Sequence, residues 1–128
     1  MRTPENVQRD YSEIKLKALV VHLILDGKVE EALEQLAEHR GVNTPKVKVG
    51  LPERHATRAL GCYTAKNQTI YVLNSDLLKN PFVILHEFYH HLRTSIDKKH
   101  RGTEKYASQF AQEFIQAYEN LSAQRSGQ

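Results

Sequence analysis

PFVILHEFYHHLR, residues 81–93, decides how this chain is read. Proline is tolerated at the first position of a helix. Phe82, Val83, Ile84, Leu85, Phe88 and Leu92 then follow without a breaker, predicting a helix from Pro81 to about Thr94. A helix that is apolar on nearly every side is a buried one. Set into this surface is His86-Glu87-x-x-His90. Residues four apart on a helix lie one above the other, so both imidazoles point at a common spot. There they can share one ion at about 2.0–2.1 Å. Buried polar groups without partners are costly, and a metal supplies the partner these histidines need. Glu87 is turned about 100° from His86, outside ligand range but within reach of a water on the ion. Zinc lowers the pKa of such a water to about 7, and a carboxylate beside it can take the proton and pass it to a leaving amine.

Outward from this helix, the chain reads as one domain over residues 1–128. Apolar spacing at Ile14, Leu16, Ala18, Leu19 and Leu23 predicts a helix from about Pro4 to Leu25, stopped at Asp26-Gly27. VEEALEQLAEHR places Val29, Ala32, Leu33, Leu36 and Ala37 on one stripe of a second helix. The two form an N-terminal helical hairpin over residues 1–40, expected as a structural layer or a docking segment for a partner. KVKVGL, 46–51, alternates like a short strand, whereas PERHATRAL reads as a loop or a helical turn. Two β-favouring runs, Gly61–Ala65 and Thr69–Leu73, flank a Lys-Asn-Gln turn as a hairpin. Asn74 or Ser75 can cap a short helix through Leu78. Thr103 caps the last one, EKYASQFAQEFIQAYENL, with Phe110, Phe114, Ile115 and Tyr118 at helical spacing. The expected class is α+β: a small antiparallel sheet with a histidine helix and a C-terminal helix, in a core spanning 46–124.

Composition removes several alternatives. The longest apolar run, ALVVHLIL at 18–25, is too short and too interrupted to span a bilayer, so no membrane role is expected. A net charge of +3 is mild, and the basic residues are scattered apart from Lys98, Lys99 and Arg101. That argues for a solvated surface rather than a nucleic-acid footprint. The single cysteine, Cys62, excludes an internal disulfide and fits a reducing compartment. With no apolar leader in MRTPENVQRD, a cytoplasmic location is expected.

A site with two histidines needs a third protein ligand, and two candidates follow: Glu104, at the start of the last helix, and His100, in the loop before it. EKYASQFAQEF, 104–114, resembles the Glu-x-x-Ala-x-x-Phe-Ala pattern on the glutamate helix of gluzincin-type metallopeptidases. The nearest likeness is to the ImmA/IrrE-like group and the small minigluzincins. TIYVL and NPFVILHEFYHHL are similar to what precedes and includes the active-site helix there, so the resemblance covers roughly residues 60–115. It implies Glu104 as the third ligand, with Ala107, Phe110 and Ala111 packing its helix. HRGTEKY is loosely similar to the histidine ligand region of SprT-like proteases, which would assign His100 instead, although Arg101 separates it from Gly102. The metzincin pattern is excluded, because Arg93 and Ile96 stand where it requires glycine and histidine.

The resemblance implies a zinc-dependent metallopeptidase with one Zn²⁺ per chain on His86, His90 and Glu104. Glu87 would be the catalytic base, and then the acid, for attack of zinc-bound water on a peptide or protein substrate. It also implies substrate added as a strand along Gly61, Cys62, Tyr63, Thr64 and Ala65, with Thr69–Leu73 as the inner partner. Tyr63, His91, His100, Arg101 and Tyr106 are candidates for stabilising an oxyanion. His91, about 100° round from His90, is not expected on the same ion. The competing expectation is a latent or inactive zinc-binding regulator acting through a protein partner, such as a DNA-binding regulator.

Overall fold

The computed structural model describes residues 4–52, 59–97 and 102–126. The expected loop or turn at 53–58, His55, and the basic loop with His100 and Arg101 lie outside them. In chain order the elements are α1 (Pro4–Leu25), α2 (Val29–Arg40), β1 (Lys46–Val49), β2 (Gly61–Thr64) and β3 (Thr69–Val72). A 3₁₀ turn (Ser75–Lys79) then leads into α3 (Pro81–Ile96) and α4 (Glu104–Ser126). No helix among the described residues is long and apolar enough to cross a membrane.

Local chemistry sets the boundaries. The Asn74 side chain accepts from the Leu77 N–H at the start of the 3₁₀ turn. The Asn80 side chain accepts from the Val83 N–H, with Pro81 in the first turn of α3 where no partner for its nitrogen is needed. Thr103 caps α4 through its hydroxyl, which accepts from the Tyr106 N–H at 3.1 Å.

The sheet is mixed rather than antiparallel. Its order is β1-β3-β2, with β2 antiparallel and β1 parallel to β3. The tight turn Ala65–Gln68 forces the antiparallel pair. Val49 at the end of β1 and Gly61 at the start of β2 both pair with Val72. The intervening chain therefore re-enters at the same end of the sheet, on the other side of β3. A strand on the far side of β3 that ends where β2 begins must run opposite to β2, and hence along β3. Each strand of the hairpin is also a residue shorter than expected: Leu73 lies past the end of β3, and Ala65 falls in the turn, which Gln68 closes with φ 52° and an N–H bonded to the Ala65 carbonyl.

The two N-terminal helices are not an appendage. Val20, Val21 and Ile24 of α1 and Leu33 and Leu36 of α2 share one buried cluster with Ile70, Ile84, Phe88 and Phe114. The packing of α1 against α4 is more extensive than against α2. On α4 the inward positions include Ala107 and Ala111, both fully buried, and small residues let a helix approach its neighbours closely. Burying these chains stabilises the fold by about 1.5–3 kcal/mol for each large one. In this way α3 is held between the sheet and α4.

Candidate metal centre

Burial of α3 is one-sided, not all-round. Val83, Ile84, Leu85, Phe88 and His91 are buried, whereas His86 and His90 are only partly so, on the rim that faces α4. From that rim the two imidazoles meet the first residue of α4. His86 Nε2 lies 2.7 Å from Glu104 Oε2, and His90 Nε2 lies 2.9 Å from Glu104 Oε1. One carboxylate thus spans both rings. Among the described residues, His86, His90 and Glu104 are a group whose ligand atoms all lie within 4.8 Å of one another, so they could hold a metal ion. Two imidazole nitrogens and one carboxylate oxygen suit a borderline divalent cation and leave room for a fourth ligand. Burial raises the Glu104 pKa, but the hydrogen bond from His86 and the charges of His90 and His86 outweigh it and hold the carboxyl below its ordinary value.

Two contacts fix this arrangement. The other nitrogen of His86, Nδ1, faces the Ser108 hydroxyl at 3.3 Å. A second-nitrogen contact of this kind orients a ligating imidazole. Sequence reasoning missed Ser108, although its place four residues after Glu104 puts both on one face of α4. The second is Gly102, at φ +75°, which lies flat on Tyr89. A Cβ there would collide with the Tyr89 ring and come within 3.0 Å of Arg93 Cγ. Only a bare glycine lets the chain turn so close to α3 and begin α4 opposite His86 and His90.

Glu87 is buried, with 8 % of its surface exposed. Its carboxyl is pushed up to about 7, first by that burial and second by the charge of Glu104. A cleft of about 490 Å³ contains Glu87, His90 and Glu104 on one wall and Gly61, Cys62 and Tyr63 on the other. Gly61 is the point of closest approach: a Cβ there would stand 2.9 Å from Val83 Cγ1 and 3.4 Å from Glu87 Cγ. Cys62 is buried and its thiol is pushed up, by burial and then by Glu87. It is therefore held as the neutral thiol, outside the metal-binding group.

Strand β2 is an edge strand in the sheet order. The Leu73 N–H donates to the Leu60 carbonyl at 2.9 Å. Alternation in an antiparallel ladder then places Cys62 and Thr64 in hydrogen-bonded pairs with Tyr71 and Thr69. Gly61 and Tyr63 consequently turn their N–H and C=O groups away from β3. Of the five residues expected along this edge, these two are the ones whose backbone faces outward, and Ala65 is not in the strand.

His91 is fully buried and serves the scaffold. Its Nε2–H donates to the Asn43 carbonyl at 2.6 Å, which leaves Nδ1 to accept from the Tyr63 hydroxyl at 2.7 Å. Burial lowers its pKa, against the Asn43 hydrogen bond, which raises it. His91 and Tyr63 are therefore each committed to the other and are removed from the oxyanion candidates. Tyr106 is exposed. His22 is exposed on α1, and His39 pairs with Glu13 at the surface at 3.2 Å. No protein-family model, curated protein or solved structure matches the chain.

Proposed function

We propose that this protein is a zinc-dependent peptide hydrolase in which His86, His90 and Glu104 hold the ion and Glu87 moves the protons. The observation carrying this reading is the convergence of His86 and His90 on the Glu104 carboxylate, with buried Glu87 in the same cleft beside an edge strand. Zinc at this position supplies Lewis acidity, lowering the pKa of water and polarising a carbonyl oxygen.

The remaining work falls to the chain. The outward N–H and C=O groups of Gly61 and Tyr63 bind an extended peptide as a further strand, as main-chain recognition does elsewhere. The absence of a side chain at Gly61 lets the edge strand itself lie directly against Val83 and Glu87 of α3, which brings its outer edge close to Glu87. Glu87 is poised near neutrality, where a carboxylate can accept a proton from water and return it to the departing amine. Cys62 and Tyr63 wall the site and limit water around the reacting carbonyl.

The test is metal content together with cleavage of denatured casein and a peptide mixture. Wild type is expected to hold one zinc per chain and to cleave. Glu87→Gln is expected to keep the zinc and lose about 10²–10⁴-fold in rate, the usual worth of positioned proton transfer. Zinc retained after His86→Ala and His90→Ala together would refute the site. Zinc-loaded wild type that cleaves nothing would refute the hydrolase.

A further inference from the structure

Beyond the candidate metal centre the cleft adjoins a second hollow of about 590 Å³. The two share Tyr63, Ala65 and Thr94. The far part is walled by Asn43 from the α2–β1 connection, Lys66 and Gln68 from the hairpin turn, and Ser95 from α3. Its composition differs in kind from the first. The metal end carries two carboxylates, Glu87 and Glu104. Among the described residues, the far end's lining has no acidic residue, one cation, Lys66, and is otherwise uncharged.

The spacing follows from the elements that build the floor and the edge. Gly61, at the start of β2, stands over Glu87, and Tyr63, two residues on, is bonded to His91. Helix α3 and strand β2 thus progress together away from the metal. From Glu87 to Thr94 the helix advances about 10 Å at about 1.5 Å per residue. An extended peptide covers about 10 Å in three residues. A peptide pairing with Gly61 and Tyr63 therefore carries a residue two or three positions from the reacting bond into the hollow between Ser95 and Lys66. The hydrogen bonds from Tyr63 to His91 and from His91 to Asn43 tie the edge strand, α3 and the far wall together, so the hollow keeps its place relative to the metal.

We infer that this second hollow is a specificity pocket for a carboxylate borne by the substrate, two or three residues from the bond to be cut, with Lys66 as its counter-charge. This rests on the peptide-hydrolase reading. The carboxylate can come from an aspartate or glutamate side chain, or from the free C-terminus of a short peptide. Both present the same anion to Lys66, and Asn43 and Gln68 have side-chain amides able to donate to it, whereas the Ser95 hydroxyl already donates to the His91 carbonyl at 2.7 Å.

The experiment measures binding rather than turnover, using zinc-loaded Glu87→Gln and fluorescent decapeptides that differ at one position at a time. Glutamate two or three positions from the centre is expected to bind about 3–5-fold more tightly than glutamine, as suits one exposed ion pair. Lys66→Glu is expected to reverse the order, favouring lysine over glutamate at the same position. Since Lys66 is exposed in a turn, the substitution leaves the fold intact. Tetrapeptides with a free or amidated C-terminus separate the two sources: a preference confined to the free acid assigns the pocket to the terminal carboxylate. Equal binding of glutamate and glutamine peptides, or a preference that survives Lys66→Glu, overturns the pocket while leaving the hydrolase standing. No binding of any peptide to the zinc-loaded protein overturns both.

Discussion

The Ser108 hydroxyl stands 3.3 Å from His86 Nδ1, one helical turn beyond the carboxylate that meets the same imidazole at Nε2. Both nitrogens of His86 are thereby engaged by a single face of α4. Ser108→Ala removes only the outer contact. It is expected to weaken zinc binding about 10-fold or more, in the range usual for such supporting partners, with unchanged unfolding of the metal-free protein. Competition with a chromophoric chelator measures it.

Glu87 makes metal-free stability depend on pH in a direction that can be worked out. Its folded pKa, about 7, stands above the ordinary 4.5. The folded chain therefore binds this proton more tightly than the unfolded chain. That contribution is complete below pH 4.5 and is lost as pH rises through 7. Over about 2.5 units the loss is about 3 kcal/mol. Metal-free Glu87→Gln is therefore expected to be more stable than wild type at pH 8 by about 2–3 kcal/mol and to match it near pH 4.5. Urea unfolding at the two pH values reads the difference.

Gly102→Ala is expected to damage both fold and site. The new methyl group meets the Tyr89 ring, and the φ of +75° disfavours any L side chain. The cost is about 1–3 kcal/mol. Because Glu104 follows two residues later, zinc affinity should fall as well. Adding Tyr89→Ala should restore part of the affinity by removing the collision, while the backbone cost persists.

Breaking the buried histidine bridge should act on stability first. His91→Leu leaves the Asn43 carbonyl and the Tyr63 hydroxyl without their partner, at about 2–4 kcal/mol for the two. Zinc stoichiometry is expected to remain at one per chain, which separates this role from that of His90. Chemical denaturation and metal analysis on the same sample check both halves.

Zinc itself should stabilise the chain. At about 100-fold excess over its dissociation constant, a ligand bound only by the folded state adds about 2.7 kcal/mol. Thermal unfolding with and without chelator should show the shift, and Glu104→Ala should diminish it.

The histidine helix was legible because its signals are local: an asparagine-proline start, an unbroken apolar run and a four-residue repeat. Glu104 was legible through a pattern carried along its own helix. Other features depend on contacts remote in sequence. A four-residue alternation such as KVKV states that a strand exists but not its direction, so the parallel pairing of β1 was hidden. His91 is 48 residues from the carbonyl it contacts, and nothing beside it marks that partner. The apolar run also overstated burial around His86 and His90, since a cleft removes neighbours from one side of an otherwise enclosed helix.

The sheet has two edges of opposite character. On β1, Lys46 and Lys48 are exposed to solvent, and charged lysines make an edge a poor template for another chain. Gly-Cys-Tyr-Thr on β2 carries no such guard. A strand arriving from outside is thus discouraged on the β1 flank, and on the proposed reading the β2 flank is where substrate pairs. The same three-stranded sheet is guarded by lysines on one flank and left bare on the other, and the bare flank is the one that runs beside Glu87.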